Sequence, residues 1–440
     1  MNSFARIALI ASQGALLGTL VTTVNAQTVS LEHCITQALG HDPRALVAGV
    51  DAEIAGARIA EAKSALLPKV RGTADWRYYT DLPFQLLPAS VFGGPADSYR
   101  ALQFGTPQNV GANVQAQLPL VDAGSWERIH VAREAEQAAR LMADGTREDV
   151  VMDVSLAYYT AQVLQMKLAF LDSNVTNTGS LLGNVRLMRE QSMARSTDVD
   201  RLQLQLDQLL TQRERVQGQL DQTLDVLRLH MGLGADVPLA VEPPGTTIEP
   251  GTNAALATTR LRAAEQGLRV QEAEIRLLKR SRLPSLNGQG LYGTTGFGPI
   301  GSEERFDFYP IGFIGASLQV PLFNGTTVQR RIGIKELERD KAALQRDALA
   351  ERDSLDLRRT ERDEALARRT LQDAGTQLGL AERIRKNTDL QHREGLATLS
   401  DLILADQSHR DAQQLYLDAL VQLRRVQLER RRLHGTLIPR

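Results

Sequence analysis

Two stretches of this 440-residue chain follow one plan. Leu118-Pro119-Leu120-Val121-Asp122-Ala123-Gly124 and Val320-Pro321-Leu322-Phe323-Asn324-Gly325-Thr326 each end an alternating run with a proline, then set Asp or Asn before a very long helical pattern. Proline closes a strand because it has no N–H to give to a ladder, and an Asp or Asn side chain caps the free N–H groups of the next helix. Pro119, Asp122, Pro321 and Asn324 are therefore expected to mark two strand-to-helix junctions. The sequence on either side of them also matches, so the chain is a duplication.

After Asp122 the helical period runs without a strong breaker to about Gln191, roughly 70 residues or about 100 Å at ~1.5 Å per residue. A heptad seam runs through its later part: Val154, Ala157, Ala161, Leu164, Leu168, Leu171, Val175, Thr178, Leu182 and Val185, in steps of three and four. The chain turns between Gln191 and Asp198, where Ser196 or Thr197 is the expected cap. A return seam follows at Val199, Leu202, Leu206, Leu209, Val216, Leu220 and Leu227, with Arg213 as its one charged member. The two legs should form an antiparallel coiled hairpin ending near Gly232 and Gly234.

Upstream, a helical pattern from Leu31 breaks at Gly40-His41-Asp42-Pro43 and resumes to about Leu67, with Pro43 in its first turn. Pro68 ends it and the period becomes two. From Lys69 to Tyr79, Val70, Gly72, Ala74, Trp76 and Tyr78 oppose Lys69, Arg71, Thr73, Asp75, Arg77 and Tyr79. From Asn109 to Leu118, Val110, Ala112, Val114, Ala116 and Leu118 oppose Asn109, Gly111, Asn113, Gln115 and Gln117. Each run is close to the ~9–11 residues that a tilted strand needs to cross a bilayer. The alternation fits a membrane barrel with a wet lumen and equally a half-buried soluble sheet. Residues 80–108, rich in Pro and Gly, are expected to be a loop.

The second copy repeats the order. Residues 254–283 mirror 38–67, with Ala57/Ala273, Lys63/Lys279 and Pro68/Pro284 at one offset. Ser285 to Gly293 and Ile311 to Val320 replace the strand pair. Asn324 opens the long helix, Arg393 to Asp401 is the turn, and the return seam is Leu402, Ala405, Ala412, Tyr416, Ala419, Leu423, Val426 and Leu433. Asp198 and Asp401 fall at equivalent places, where each serves equally well as a helix cap or first-turn acid. Arg330 to Arg369 is dense in charge, which suits a solvated outer face or a water-filled tunnel.

Composition supports long helices: aromatics are 5% and Trp occurs twice. Residues 1–26 read as a secretory signal, with Arg6, an apolar run from Ile7 to Val21 and Val24-Asn25-Ala26 as the cleavage site. Removing them takes the net charge from −1 to −2, which leaves no nucleic-acid footprint. The expected parts are thus a signal (1–26), a first repeat (27–237), a linker (238–251) and a second repeat (252–440), 27–440 forming one domain. The single Cys34 excludes an internal disulfide.

No catalytic constellation is present, and no cofactor or metal is implied. The Gly288/Gly290/Gly293 and Gly296/Gly298/Gly301 spacings match Gly-x-Gly-x-x-Gly, but no helix follows, as a dinucleotide site requires. His33, His41, His130, His230, His392, His409 and His434 are scattered, and only His33, Cys34 and His41 lie near enough in sequence to suggest a soft-metal site.

Four strands cannot close a pore, because about eight give only a side-chain-filled interior. Three chains would supply twelve, and their hairpins could then line up into a hollow cylinder. The expected fold is mainly α with a small membrane β-barrel: two tandem repeats, each a long antiparallel coiled hairpin plus two strands, trimerising into a twelve-stranded barrel continuous with a helical cylinder.

The doubled order of helix, Pro, strand, loop, strand, Pro-Leu-x-Asp/Asn and long hairpin, from about Leu31 to Leu433, resembles the TolC-type outer membrane efflux protein family. The resemblance implies a homotrimeric, passive export duct in outer membrane lipid, reaching into the periplasm. It implies docking on a periplasmic adaptor (membrane fusion) protein and an inner membrane pump. Gly395, Leu396 and Ala397, followed by Thr398, match the family's Gly-Leu-Thr-like tip, which the adaptor contacts. Asp401 matches the first of two acids, three apart, that ring the closed entrance; Leu404 stands at the second, which implies a less acidic gate, and Asp198 is its counterpart in the first copy. The resemblance leaves the cargo open among drugs, metal ions and polypeptides. A periplasmic coiled-coil adaptor or scaffold is the alternative, and four amphipathic strands argue against it. An exported enzyme lacks a catalytic constellation.

Overall fold

A computed structural model describes residues 27–95, 97–243, 257–298 and 307–438. The signal at 1–26, part of the linker and Gly301 lie outside the described residues. Element order is β1 (Gln27–Val29), α1 (Leu31–His41), α2 (Pro43–Ser64), β2 (Lys69–Tyr78), β3 (Phe84–Pro88), β4 (Tyr99–Gln103), β5 (Gln108–Val121), α3 (Ala123–Glu190), α4 (Ser196–Met231), β6 (Leu239–Val241), α5 (Thr259–Arg280), β7 (Ser285–Gly298), β8 (Asp307–Gln319), α6 (Thr327–Arg393) and α7 (Leu399–Leu433).

The duplication is visible in the element bounds. Helices α2 and α5 are both 22 residues long. Their starts at Pro43 and Thr259 differ by 216, and so do the starts of β2 and β7 at Lys69 and Ser285. Helices α3 and α6 have 68 and 67 residues, and α4 and α7 have 36 and 35. The return helices start 203 apart, at Ser196 and Leu399.

By internal contacts the chain divides into two compact units. One comprises the N-terminal residues to Gln37 and Ala157–Thr246. Here β1 pairs in parallel with β6, Gln27 opposite Leu239. The Tyr158 hydroxyl donates to the Val29 carbonyl at 3.0 Å, and Gln162 Nε2 to that of Glu242 at 2.7 Å. The far part of α3 lies along α4, with Ala161, Leu168, Leu171, Leu182 and Val185 buried on one and Val199, Leu202, Leu209, Val216, Leu220 and Leu227 on the other. Asn174 is buried where Val175 was expected, and Leu206 only half. A helix of 3.6 residues per turn drifts against a heptad repeat, which moves the seam by one residue.

The other unit comprises Ala38–Leu156 and Thr247–Arg440. Asp42 caps α2 through its side chain, with Pro43 in the first turn. The large sheet has the order β2-β5-β7-β8, every neighbour antiparallel. Helices α6 and α7 pair through Ala374, Ala381, Ala405, Ala412 and Ala419 together with Leu402, Leu417, Leu423 and Val426. Leu417 takes the buried position expected of Tyr416.

Several expectations are corrected. Residues 80–108 contain a second hairpin, β3 paired with β4 across a 3-10 turn at Ala89–Phe92, with Pro88 as the last residue of its strand. Pro119 lies within β5, which continues to Val121; a register shift between Pro119 and Val121 absorbs its missing N–H. Strand β8 begins at Asp307, so Pro310 lies inside it. This is tolerated because β8 is an edge strand with one neighbour. Asn324 does not cap α6: the helix starts at Thr327, and Gly325 and Thr326 both adopt φ of 64°. Neither Ser196 nor Thr197 caps α4, since Arg195 holds the N-cap position and offers no side-chain bond.

Candidate functional site

The large sheet owes its two faces to register. Val70 lies opposite Ala116, Ala116 opposite Gly290, and Gly290 opposite Ile314, and the alternate registers above and below continue the same face. Val70, Trp76, Tyr78, Val114, Tyr292, Phe308, Ile314 and Leu318 are all exposed there, with Trp76 and Tyr78 stacked at 6.5 Å near one end. The other face carries Lys69, Arg71, Thr73, Asn113, Gln115 and Gln117 on β2 and β5, and is mixed on β7 and β8. Strands β2 and β8 are the outer strands of this sheet, each with one neighbour in it. Glycine is required at Gly293, where an added Cβ would lie 2.4 Å from the Ala112 carbonyl. Close packing thus accounts for Gly293, and likewise for Gly296, where an added Cβ would meet the Phe308 ring at 2.7 Å.

At the first junction the Asp122 carboxylate accepts from the Gly124 N–H at 2.9 Å and the Ser125 hydroxyl at 2.5 Å, which starts α3. At the second, the Asn324 carbonyl accepts from the Thr327 N–H, and Pro321 lies beyond the end of β8.

The two hairpin turns share one backbone conformation. After α6, Gly395 has φ of 74° and the Leu396 N–H donates to the Gln391 carbonyl at 2.8 Å. After α3, Ser192 has φ of 61° and the Met193 N–H donates to the Met188 carbonyl at 2.8 Å. These residues correspond at the 203-residue shift of the return helices. Leu396 and Met193 project into solvent.

The caps differ. Thr398 and Asp401 form a reciprocal capping box on α7, and these hydrogen bonds hold the Asp401 carboxyl below its usual range. The Ala397 carbonyl is also bonded, to His392 Nδ1 at 3.0 Å. Leu404, one turn on, is exposed. The structure thus brings Gly395, Leu396, Ala397, Thr398 and Asp401 together in one turn. Asp198 is half-buried in the first turn of α4, its N–H donating to the Arg195 carbonyl.

Sequence reasoning missed a group two turns from Asp401. Asp406 lies 3.9 Å from Arg385 and 3.8 Å from Arg410, with His409 beside them. Burial pushes the Asp406 carboxyl up despite both cations, and pushes His409 and Arg410 down. Further along the hairpin, buried Glu364 is bonded by Arg430 at 2.6 Å and by Arg368 at 2.6 Å. Burial raises its carboxyl, and the two guanidiniums outweigh that and hold it low. Each of these residues sits at ordinary helical surface spacing, so only the pairing of α6 with α7 reveals them.

Among the described residues no group of three or more His, Cys, Asp or Glu is placed to hold a metal ion. Cys34 is buried and its thiol is pushed up to about 11, chiefly by burial, which makes it unreactive. Among the described residues no helix is long and apolar enough to cross a membrane.

A duplicated chain with an open amphipathic sheet and two long coiled hairpins is a fold that solved outer membrane channels share. The family model for outer membrane efflux proteins matches residues 34–233. Outer membrane protein TolC of Vibrio cholerae is 24% identical over 325 residues, covering 71% of this chain and 68% of the relative. In fold, the chain is similar to the Vibrio cholerae outer membrane protein VceC, with a TM-score of 0.73, 15% identity, and coverage of 92% and 96% of the two chains. It is also similar to the Campylobacter jejuni CmeC outer membrane channel, with a TM-score of 0.74, 12% identity and coverage of 98% and 94%. The likeness to outer membrane efflux proteins thus lies in sequence over residues 34–233 and in fold over more than nine-tenths of the chain.

Proposed function

We propose that three copies of this chain form a passive export duct in the bacterial outer membrane that extends into the periplasm. The observation that carries this reading is the four-stranded sheet: one face is exposed and apolar, and each outer strand has a single neighbour in it. Such a face is stable against lipid, and outer strands at membrane depth must be paired because no water is available to them. Pairing β8 of one copy with β2 of the next would close twelve strands, with the apolar face outward. The hairpins would continue the barrel as a helical cylinder. Residues 1–26 would direct export, and the repeats at 27–237 and 252–440, joined by the 238–251 linker, would each give one hairpin and two barrel strands.

In this reading the duct opens at its periplasmic tip when an adaptor protein and an inner membrane pump engage. Gly395, Leu396, Ala397 and Thr398 form the docking tip, with Leu396 exposed for contact. Asp401, Leu404 and Asp198 line the entrance. The Asp401 capping box gives that carboxylate a structural duty as well, so its replacement alters both the tip and the charge there.

The test is single-channel recording from the detergent-extracted protein in planar bilayers, wild type against Asp401→Ala. Discrete steps, with conductance or cation block changed in the variant, are expected. Unchanged steps would move the gate away from Asp401. A soluble monomer that gives no steps would overturn the duct and favour the periplasmic scaffold.

A further inference from the structure

The mixed face of the sheet is divided along the line of the duplication. On β2 and β5 it holds no apolar side chain from Lys69 to Arg77 or from Asn109 to Gln117. On β7 and β8 the same face carries Leu291, Phe297, Tyr309, Ile311 and Phe313. Phe297, Tyr309, Ile311 and Phe313 are exposed, and the Phe297 and Tyr309 rings lie 6.0 Å apart. Apolar side chains are therefore present on both faces of the second copy's strands but on only one face of the first copy's. Contact with lipid accounts for one face and leaves the other unexplained.

Charge completes the pattern. Arg77 is neutralised by Asp75 at 2.9 Å near one end of the sheet. Lys69 and Arg71, toward the other end, are exposed and form no ion pair among the described residues. A single register then reads Arg71, Gln115, Leu291, Phe313 across the four strands. At ~4.8 Å between neighbouring strands, Leu291 stands about 10 Å from Arg71 and Phe313 about 14 Å. A cation, amide donors and a hydrocarbon surface thus follow one another along the reach of a medium-chain alkyl acid.

We propose that this face is a binding surface for amphipathic organic anions, with the carboxylate, sulfonate or phosphate head at Arg71 and Lys69 and the alkyl or aryl body along Leu291, Ile311 and Phe313. The proposal rests on the reading above, in which this face lines the duct, and it names the class of cargo the exit segment favours. Arginine suits such a head because its planar fork pairs with both oxygens, while the body needs only apolar area. An apolar cation would meet Arg71 and Lys69 instead of an acid, so it is the disfavoured charge type.

The probe is octanesulfonate, titrated calorimetrically into the trimer embedded in lipid nanodiscs, with empty nanodiscs as the blank. Ethanesulfonate and octyltrimethylammonium serve as controls for body and charge. Octanesulfonate is expected to bind most tightly. Arg71→Gln with Lys69→Gln should weaken it about tenfold through lost charge-assisted bonds, and Phe313→Ser with Leu291→Ser by a similar factor through lost apolar contact. Ala112→Ser, on the opposite face, should leave it unchanged. Equal binding of the cation and the anion, or binding indifferent to both double variants, would overturn the proposal.

Single-channel recording on the same preparation separates the two readings. Steps without anion binding would leave the duct standing and remove the site. Binding sensitive to both double variants but without steps would keep the site and remove the duct. The absence of both would remove both.

Discussion

The two long hairpins descend from one repeat, and their turns share a backbone, yet they are held together by different chemistry. Counting back from the turns at the 203-residue shift, Ala161 and Leu227 of the first hairpin correspond to Glu364 and Arg430 of the second. Leu182 and Leu206 correspond to Arg385 and His409. Leu202, fully buried, corresponds to Ala405. Apolar burial therefore carries the first hairpin. The second has a thinner seam of small residues and two ionic clusters, so its hold depends on charge states as well as contact. Apolar contacts respond little to pH, whereas buried ion pairs are lost when one partner is neutralised. The second hairpin is thus the more sensitive to pH and to single charge changes.

The strongest way to break this comparison is to remove Glu364. Glu364→Ala leaves Arg430 mostly buried without its carboxylate, and removing one member of a buried pair costs about 3 to 4 kcal/mol. Hydrogen exchange across α6 and α7 near this site should quicken by more than a hundredfold, with little change in α4. Acid should act in the same direction. The folded-state pKa of Glu364 is held low, so its contribution is present at neutral pH and lost as the pH falls through the folded value.

The matching substitution in the first hairpin is Leu202→Ala, which installs the residue found at Ala405. Truncating a fully buried leucine costs about 3 kcal/mol. Exchange along α4 should quicken about a hundredfold, at pH 5 as at pH 7. A pH-dependent loss there would contradict the assignment of apolar cohesion to this hairpin.

Much of this contrast lay outside what the chain alone discloses. The duplication, the long helices, the two turns and the strand positions follow from period, proline and offset, which are local or repeated signals. One junction detail did not follow: Asn324 has the composition of a cap, but the chain turns through Gly325 and Thr326 and starts the helix later. The hairpin from Phe84 to Gln103 was hidden because its five-residue strands are too short to show a period between Pro83, Pro88 and Pro107. Arg385, Asp406, His409 and Arg410 look like any solvated helix face, and their burial is a property of packing. The capping box was legible as an acid three residues after Thr398; the left-handed Ser192 was not, since nothing in its identity distinguishes it from the serines nearby.

A smaller effect is expected at His409. Its Nδ1 is buried without a hydrogen-bond partner, and burial, with Arg385 beside it, lowers its folded-state pKa below the ordinary histidine value. A base that resists protonation in the folded state costs stability as the pH falls below its unfolded value. Glu382 and Asp406 favour the proton and Arg410 opposes it, so the net shift is downward. Asp406 acts in the opposite sense: its raised value means that protonation in acid favours the folded hairpin. His409→Leu, restoring the residue found at Leu206, should stabilise the second hairpin by about 1 kcal/mol, because it removes an unsatisfied buried nitrogen. It should also flatten the decline in exchange protection between about pH 7 and pH 5. An unchanged slope would remove His409 as a source of acid sensitivity, since Glu364, with its carboxyl held low, titrates below that window.

The smallest and sharpest test lies in the turns, where the backbones agree and the side chains do not. Ser192 holds φ of 61° with a Cβ, whereas Gly395 holds 74° without one. The left-handed conformation costs a non-glycine residue roughly 1 kcal/mol, so Ser192→Gly should stabilise the first turn by about that amount. Arg195 offers no side-chain bond at the N-cap where Thr398 gives one, so Arg195→Thr should add a further ~0.5–1 kcal/mol. Gly395→Ser and Thr398→Arg should produce the converse losses in the second turn. The two pairs are far apart in sequence and act on separate turns, so each gain and loss should appear only in the exchange of its own helix ends. If the stabilised first turn also slows exchange in the second, the turns act as one mechanical unit, and the difference in cohesion between the hairpins would not make them independent.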